Sequence, residues 1–424
     1  LFNIMIIHGK ENSIEAAEQQ LSTVSLTAER GDILDCNGKI LATSATVWTV
    51  YIVPKNIEDT EKARLVADGL AEILELDAEK VLSQTQKQTA YERVKSKIEN
   101  DAAENVRTFI SENKLGDIIG LETSTKRYYP NGNMASTVLG FVGDDNQGLS
   151  GIEYQYDSTL EGIPGKLVAS RNARGGDMPF NYETMVEATP GGSVKLTIDE
   201  YVQHVCEKYL DEAVTENNAG NRGCVVVMNV NTGDVLGMAV KPDFDPNEPF
   251  TLYSETDKKT MEELSASSTD QKEISAKRTS LLSEQWKNKA ITDTYEPGSV
   301  FKIITGSAAL EEKKVSTSST FNCPGYIVIA GTRYNCHQLS GHGAQSFINI
   351  FENSCNPAFI EIGQRLGPNL FYNYFRAFGF TQKTGIDLPG ETTGVYYTAD
   401  NMGPVELASE SFGQTFRITP MQMI

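Results

Sequence analysis

Residues 295–302 read YEPGSVFK and place a serine directly after a Pro-Gly turn, with a lysine three positions later. If a helix opens at Ser299, Lys302 lies one turn further on and on the same face of the helix. A serine hydroxyl is a weak nucleophile until a base stands beside it, and a desolvated lysine amine can be that base. The N-terminus of the helix would add backbone N–H donors where negative charge develops on an oxygen.

The serine–lysine pair is a weak signal alone, because this spacing arises by chance in many chains. Two features of its surroundings strengthen it. An apolar run typical of a helix follows the pair, and a second polar element, Ser354-Cys355-Asn356, lies downstream. Enzymes that react with penicillins through a serine use an S-x-N element of this kind as the second wall of the site. Its serine can relay a proton to a leaving amine, and its amide can hold the substrate backbone.

With these two elements the chain resembles the class B penicillin-binding proteins, which are D,D-transpeptidases that cross-link peptidoglycan. The resemblance extends over nearly the whole sequence. Residues 30–38, 148–153 and 196–199 resemble the N-terminal signature of the family, its G-x-x-G-x-E segment and the entry to its transpeptidase domain. Cys36 departs from the arginine usual at that position. The resemblance implies an α+β fold, with an extended pedestal followed by a transpeptidase domain of antiparallel sheet flanked by helices.

Composition agrees with an exported module. The 424 residues suggest two or three domains with ample core. A formal net charge of −20 argues against nucleic acid or a phosphate-rich surface as a partner. No run approaches 18 consecutive apolar residues, although the chain opens abruptly on residues 1–7, LFNIMII. The resemblance implies that these residues are the tail of a removed anchor helix, and the alternative is an ordinary amphipathic first helix.

We place the domain boundary at about residue 190, where a Pro-Gly-Gly turn follows. Residues 1–190 are then a pedestal or dimerisation-like domain, and residues 191–424 the transpeptidase domain. In the pedestal, the β-branched and aromatic residues 46–53 predict a strand, and apolar residues at helical spacing from Leu65 to Leu74 predict a helix.

In the transpeptidase domain, residues 224–230 and 235–240 predict paired strands around an Asn-Thr-Gly turn. A stretch at about 254–284 is rich in Ser, Thr, Glu and Lys and has few large apolar residues. It predicts an exposed insertion, helical or mobile, just before the nucleophile. The insertion is either a solvated spacer or a lid or docking element.

The six cysteines and four histidines are distributed unevenly along the chain. One cluster of potential metal ligands consists of Cys323, Cys336, His342 and Cys355. Zn²⁺ prefers four thiolate or imidazole ligands in a tetrahedron, although the intervals here are longer than in a zinc finger. Because the two neighbours of Cys355 should face the substrate, its thiol should point behind the site. A metal there would clamp the loop that carries the other ligands onto the back of the catalytic wall.

Some class B penicillin-binding proteins carry a zinc ion at the matching place, and this sequence resembles that subset. Four protein ligands would close the site, so the metal would be structural rather than catalytic. His337 is the weaker ligand candidate, because it is adjacent to Cys336 and would be strained in sharing its metal. The alternatives are a disulfide within the cluster and free buried thiols. Cys206 and Cys224 are interpreted as core thiols.

The family has a third sequence element, K-[ST]-G, on the edge strand beside the nucleophile. We do not identify this element in the present sequence. Lys383-Thr384-Gly385 has the letters, but the run that follows, residues 386–391 (IDLPGE), predicts a turn with a proline unsuited to a central strand. The resemblance places the real element beyond Ile424 and implies a chain truncated at both ends relative to the native protein. We therefore expect the fragment to acylate poorly or not at all, whereas the full-length protein is competent.

The resemblance also implies a mechanism for the complete protein. Ser299 attacks the penultimate D-Ala carbonyl of a stem peptide, Lys302 is the general base, Ser354 passes a proton to the departing D-Ala, and Asn356 orients the peptide. β-Lactams would trap the same serine, and no cofactor takes part in the chemistry.

The implied location is the extracytoplasmic face of the bacterial membrane, with a glycosyltransferase and other wall-assembly proteins as partners of the pedestal. Three alternatives to a transpeptidase remain open. These are a β-lactamase or β-lactam sensor, a D,D-carboxypeptidase, and a non-catalytic scaffold for wall assembly. The sequence leaves a role in elongation, division or sporulation undecided.

Overall fold

The computed structural model describes residues 21–170, 184–220 and 223–424, so the predicted anchor tail at residues 1–7 lies outside the described residues. The strands are β1 (Leu21–Leu26), β2 (Ile33–Leu34), β3 (Ile40–Ile52), β4 (Glu92–Ile98), β5 (Ile119–Tyr128), β6 (Gly165–Ser170), β7 (Thr184–Val186), β8 (Val194–Lys195), β9 (Gly223–Met228), β10 (Val235–Lys241), β11 (Thr320–Cys323), β12 (Tyr326–Ile329), β13 (Thr332–Asn335) and β14 (Gly343–Ser346).

The helices are α1 (Thr60–Leu74), α2 (Ala78–Thr85), α3 (Asn100–Asn113), α4 (Ser136–Leu139), α5 (Gly151–Gln155), α6 (Asp157–Leu160), α7 (Glu200–Glu216), α8 (Glu255–Ser267), α9 (Gln271–Trp286), α10 (Lys289–Thr292), α11 (Lys302–Glu311), α12 (Phe347–Glu352), α13 (Asn356–Ala377), α14 (Pro404–Glu410) and α15 (Pro420–Met423). A 3-10 turn at Gly298–Phe301 leads directly into α11. Among the helices of the described ranges, none combines the length and the apolar character that crossing a bilayer requires.

The chain divides into two compact units, both built from helices and mostly antiparallel strands. The first contains the residues up to 132 and residues 139–196, and the second contains residues 133–138 and 197–424. The predicted boundary near residue 190 therefore lies a few residues before the point where the second unit resumes at Thr197.

β3 is the central strand of the first unit. It pairs antiparallel with β5 from Thr43 opposite Tyr128 to Ile52 opposite Ile119, and it also pairs with β4 and β2. Its buried residues Val50 and Ile52 belong to a core that α1 and α3 complete, which also includes Val66, Leu70, Leu74 and Val106. The strand predicted at residues 46–53 and the helix predicted around residues 65–74 are confirmed, although Leu65 itself is exposed.

Two of the segments that resemble the family meet in a buried cluster of charges in the first unit. The carboxylate of Glu153 is completely buried and accepts hydrogen bonds from Arg30 Nε at 2.6 Å and Arg127 Nε at 2.7 Å. Arg30 also donates to Asp157 at 2.7 Å. A buried carboxylate is tolerated only when it is paired and hydrogen-bonded. This cluster therefore joins β5 and α5 to the segment that follows β1.

In the second unit, β9 and β10 form the predicted antiparallel hairpin, and α7 covers one face of it. Cys206 on α7 is buried there together with Leu210. Side chains alternate between the faces of a strand, and Val225 and Val227 pack against α7. Cys224 therefore lies on the opposite face, where it is only partly buried. The prediction of a core thiol is confirmed for Cys206 and wrong for Cys224.

The polar stretch at residues 254–284 is folded as a hairpin of two helices, α8 and α9. The side chains of Ser254 and Asp270 accept backbone hydrogen bonds at the two N-termini, as capping residues do. α8 has no buried residue, and α9 buries only Leu282 and Gln285 near its C-terminal end. The helical form of the predicted insertion is thus confirmed, and most of the hairpin is exposed.

An aromatic cluster fixes the turn that precedes α11. Phe301 is completely buried, and its ring centroid lies 4.7–6.0 Å from the centroids of four other rings, those of Phe371, Phe375, Phe380 and Phe416. Aromatic rings at such distances pack favourably beyond the area that they bury. The backbone that carries Ser299 and Lys302 is therefore anchored to α13 and to the segment before α15.

Candidate active site

The structure brings Ser299 and Lys302 together. Ser299 is the second residue of the 3-10 turn, and Lys302 is the first residue of α11. Because a 3-10 turn has three residues per turn, side chains three positions apart lie on the same side. Lys302 Nζ is 3.1 Å from Ser299 Oγ. The sequence analysis expected the helix to open at Ser299, whereas the α-helix proper begins three residues later.

Ser354 and Asn356 complete the group around the lysine amine. Lys302 Nζ lies 2.8 Å from Ser354 O, 2.9 Å from Ser354 Oγ and 2.7 Å from Asn356 Oδ1. Ser354 Oγ is in turn 2.9 Å from Ser299 Oγ. Lys302 therefore lies within hydrogen-bond distance of the other three side chains singled out from the sequence, and Ser299 is the most exposed of the four.

The surroundings of Lys302 favour its neutral form. The residue is only 2% exposed, and its Nζ lies 5.5 Å from the centre of the Phe359 ring. Burial lowers the pKa of Lys302 to about 8, against a smaller opposing effect of Cys355 and Cys336. The two carbonyl oxygens can only accept hydrogen bonds, so they take the two N–H groups of a neutral amine. The remaining lone pair is then directed towards the hydroxyls.

Ser354 has an unusual backbone conformation. It lies in the three-residue turn between α12 and α13, and its φ is +44°. A residue other than glycine with a left-handed backbone conformation is strained, so contacts with the surrounding structure must hold it in that conformation. The neighbouring Cys355 is completely buried, which agrees with the expectation that its thiol points away from the substrate.

Four potential metal ligands meet at this position. Cys323 ends β11, Cys336 follows β13, His342 precedes β14, and Cys355 precedes α13. Their ligand atoms all lie within 4.8 Å of one another. Such a spacing suits a tetrahedral ion with bonds of about 2.0–2.3 Å to nitrogen and sulfur. The donor set therefore fits a metal ion.

Two alternatives from the sequence can be compared with this geometry: His337 in place of His342 as a ligand, and a disulfide in place of a metal ion. His342 Nδ1 is 3.6 Å from Cys336 Sγ, whereas His337 is exposed and is not one of the four clustered ligands. Burial lowers the pKa of His342, which keeps the imidazole neutral as a ligand must be. All six cysteines lie in the described ranges, and none of them forms a disulfide.

Lys383-Thr384-Gly385 lies in a loop after α13. Thr384 N and Oγ1 both donate to Glu391 Oε1 at 2.6 Å, and Gly385 N lies 3.2 Å from the other carboxylate oxygen. In the described part of the chain no strand includes these residues. The turn predicted here is confirmed, and the segment has none of the strand geometry of a K-[ST]-G element.

A backbone contact that the sequence does not reveal supports the turn that carries Ser299. Gly413 O accepts a hydrogen bond from Gly298 N at 2.8 Å, and Gly413 has a φ of +87°. A Cβ at Gly413 would lie 2.0 Å from Gly298 O, so only glycine fits. Thr415 N also donates to Glu296 Oε1 at 3.0 Å. A glycine more than a hundred residues away gives no local signal that it contacts the nucleophile turn.

Comparison with known proteins assigns the family. Residues 25–196 match the model of the penicillin-binding protein dimerisation domain, and residues 223–424 match that of the penicillin-binding protein transpeptidase domain. Stage V sporulation protein D of Bacillus subtilis (strain 168) is 35% identical over 425 residues, 99% of this chain and 60% of the relative. Penicillin-binding protein PbpB of Mycobacterium tuberculosis is 28% identical over 441 residues, 100% of this chain and 60% of the relative.

Among solved structures, the complex between penicillin-binding protein PBP2 and MreC from Helicobacter pylori has the same fold. The TM-score is 0.73 at 21% identity, over 95% of this chain and 75% of that chain. The two matched domains follow one another in the order dimerisation domain and transpeptidase domain, and the serine–lysine pair lies in the second of them. The chain belongs to the class B penicillin-binding proteins. It spans about three fifths of the length of the two curated relatives described above.

Proposed function

We propose that the complete protein is a peptidoglycan D,D-transpeptidase that cross-links stem peptides through a serine acyl-enzyme. The observation that carries this proposal is the convergence of Lys302 Nζ and Ser354 Oγ on Ser299 Oγ, at 3.1 Å and 2.9 Å. Two further relatives, from Neisseria meningitidis and Buchnera aphidicola, are named peptidoglycan D,D-transpeptidases, the first of them as probable, and both are 26% identical to this chain. These names support the reaction and the substrate class.

Acylation would begin at Ser299. Its Oγ attacks the carbonyl carbon of the penultimate D-Ala, while its proton passes to the neutral amine of Lys302. Ser354 Oγ lies close to both Lys302 Nζ and Ser299 Oγ, so it can carry that proton on to the nitrogen of the departing D-Ala. The products are an ester at Ser299 and free D-Ala.

Deacylation would reverse the roles of the same groups. The acceptor amine of a neighbouring stem peptide gives a proton to Lys302 and attacks the ester carbonyl. The cross-linking amide forms, the ester bond to Ser299 breaks, and the proton returns to Ser299 Oγ. Asn356 Oδ1 is held by Lys302 Nζ at 2.7 Å, which leaves its amide N–H group to orient the peptide backbone. β-Lactams would acylate the same serine, because their strained amide takes the place of the D-Ala–D-Ala bond.

We further propose that Cys323, Cys336, His342 and Cys355 hold a structural Zn²⁺. The soft donors and their mutual distances support zinc, and four protein ligands leave no open position for substrate. The ion would fix Cys355 and so keep its neighbours Ser354 and Asn356 within hydrogen-bond distance of Lys302. No step of the acyl transfer needs the metal.

We place the protein on the extracytoplasmic side of the bacterial membrane, held by an N-terminal anchor, because its proposed substrate lies there. The first unit would meet partners of wall assembly, among them a glycosyltransferase. The related Helicobacter pylori protein was solved as a complex with MreC, which supports a partner-binding role for this class of protein. Co-purification of the full-length protein from membranes tests this part of the proposal.

Mass spectrometry of the intact, full-length protein with a penicillin tests the catalytic proposal. We expect one stable adduct that maps to Ser299, its loss in Ser299→Ala, and its retention in Ser307→Ala, a serine of α11 that points to its own helix backbone. Release of a labelled acyl group by an amine, faster than by water, distinguishes a transpeptidase from a carboxypeptidase. Absence of the adduct in the wild type contradicts the proposal, and rapid hydrolysis of it indicates a β-lactamase.

Native mass spectrometry tests the metal proposal with the same samples. We expect one zinc ion for each chain, its loss on chelation, and its absence in Cys336→Ser. Cys206→Ser serves as the control, because Cys206 is a buried residue of α7 and lies outside the cluster. A mass lower by two hydrogens, with no bound metal, would instead indicate a disulfide.

A further inference from the structure

Gln345 lies at the centre of the elements that build the proposed metal cluster. It is on β14, directly opposite Phe321 of β11 in the antiparallel pair that ends at Cys323. His342 immediately precedes the same strand. Gln345 is 5% exposed, so its amide is almost completely withdrawn from water. A buried amide is tolerated where its oxygen and its N–H groups find partners.

The two ends of this amide face the residues on either side of Ser354. Oε1 accepts a hydrogen bond from Asn353 Nδ2 at 2.8 Å. Nε2 is completely buried and has no hydrogen-bond partner of ordinary geometry. The side chain of Gln345 also interacts with that of Cys355. One side chain thus spans the turn from Asn353 to Cys355.

We propose that Gln345 is a positioning residue, whose amide joins Asn353 to the sulfur of Cys355 and thereby holds Ser354 in place between them. The inference rests on the proposed function, since it assigns Gln345 a role in the geometry of that site. Ser354 is the residue that needs such a clamp, because its φ of +44° is strained and its Oγ must stay near both Lys302 and Ser299.

The sulfur of Cys355 explains the unpartnered Nε2. A protonated thiol is a weak hydrogen-bond acceptor, whereas a thiolate bound to a metal ion carries negative charge and accepts an amide N–H readily. Groups of this kind orient a metal ligand from outside the coordination shell, and their loss commonly lowers metal affinity about 10–100-fold. Gln345 would therefore act on the metal through Nε2 and on Ser354 through both ends of the amide.

Three variants of the full-length protein separate the two ends of the amide. Gln345→Met fills a similar volume but removes both the acceptor for Asn353 and the Nε2 donor. Gln345→Glu keeps an acceptor for Asn353 and replaces the donor to Cys355 by an oxygen. Asn353→Ala removes only the contact with Oε1. Gln271→Glu, at an exposed position in the first turn of α9, is the control for the added charge.

Two readouts are needed, because activity alone cannot distinguish a positioning role from a loss of fold. Zinc affinity is measured by competition with a chromogenic chelator, and the absorption of the cobalt(II)-substituted protein reports the thiolate ligands. Acylation by a fluorescent penicillin is resolved into the binding constant and the rate constant of acylation. A misplaced Ser354 should lower the rate constant and leave the binding constant nearly unchanged.

We expect zinc affinity to fall about 10–100-fold in Gln345→Met and Gln345→Glu, with a shifted cobalt spectrum, and to stay within about twofold in Asn353→Ala. The acylation rate constant should fall about tenfold or more in Gln345→Met and less in Asn353→Ala, with Gln271→Glu unchanged. Wild-type zinc affinity and acylation in Gln345→Met would overturn the inference. A wild type that neither binds zinc nor acylates would overturn the proposed function itself, and the inference with it.

Discussion

At the scale of single residues, the protonation of Lys302 is decided by what its amine touches. Two of its four neighbours are carbonyl oxygens, Ser354 O and Asn356 Oδ1, and two are hydroxyls that can either donate or accept. In the described structure no carboxylate contacts the amine, and the opposing effect of Cys355 and Cys336 on its pKa is smaller than that of burial. Burial therefore dominates and lowers the pKa of Lys302 to about 8, which suits the amine to its proposed role as a base.

The pH dependence of acylation follows from this environment. Because burial lowers the pKa of Lys302 to about 8, the neutral fraction increases as pH rises towards that value. We expect the acylation rate constant to increase about tenfold from pH 6 to pH 7 and to level off above about pH 8. Stopped-flow labelling with a fluorescent penicillin measures the profile. Lys302→Arg, which stays charged, should remove the rising limb, and a flat profile in the wild type would contradict the role of the amine.

A buried charge in the first unit gives a prediction about stability. Glu153→Gln leaves the guanidinium groups of Arg30 and Arg127 buried without their shared carboxylate, which should cost about 3–5 kcal/mol of unfolding free energy. Glu104→Gln breaks an exposed pair on α3 and should cost less than about 1 kcal/mol. Urea unfolding followed through Trp48 of β3, in a Trp286→Phe background, measures both changes. Equal effects would show that the cluster adds nothing to stability.

At the scale of elements, local spacing made much of the fold predictable. The alternation and residue types of β3, the helical spacing of α1 and the turn between β9 and β10 are all properties of neighbouring residues. The four active-site side chains belong to two short motifs, so they too could be chosen from the sequence. Contacts between distant segments through backbone groups or a neutral amide, such as that of Gly413 with Gly298, could not be predicted. They leave no pattern of charge or of apolar spacing in the sequence.

The contact between Gly413 and Gly298 gives the element-scale prediction. Gly413→Ala puts a Cβ 2.0 Å from Gly298 O, whereas Gly385→Ala, at a similar positive φ, meets nothing within 4 Å. Both should lose about 1–2 kcal/mol from the left-handed backbone, and Gly413→Ala about 1–3 kcal/mol more from the clash. The displaced turn should also slow acylation at Ser299 by about 100-fold. Urea unfolding followed through Trp286 and penicillin labelling measure these changes, and equal behaviour of the two variants would contradict the packing argument.

At the scale of the whole molecule, burial is concentrated in the cores of the two units, while the hairpin of α8 and α9 contributes little to either. Its polar composition gives it no apolar face of its own, and in the described structure its attachment includes the part of α9 from the middle to the C-terminal end. There Arg278 donates to Phe250 O at 2.8 Å, and Leu282 and Gln285 are buried. The sequence left two interpretations open, a solvated spacer and a lid or docking element. This attachment is compatible with both, so a functional experiment is needed to distinguish them.

Replacing residues 255–277 by a short Gly-Ser linker distinguishes the two interpretations. The deletion keeps Arg278, Leu282 and Gln285, so a spacer should lose less than about 1 kcal/mol of unfolding free energy, since exposed segments and loop length contribute little. Acylation of Ser299 by a soluble penicillin should stay within about twofold of the wild type. A lid would give an acylation rate changed about tenfold or more, and a docking element would leave that rate intact while abolishing growth complementation by the full-length protein. We expect the first result, because a hairpin with so little buried surface has no packing that would hold it closed over a site.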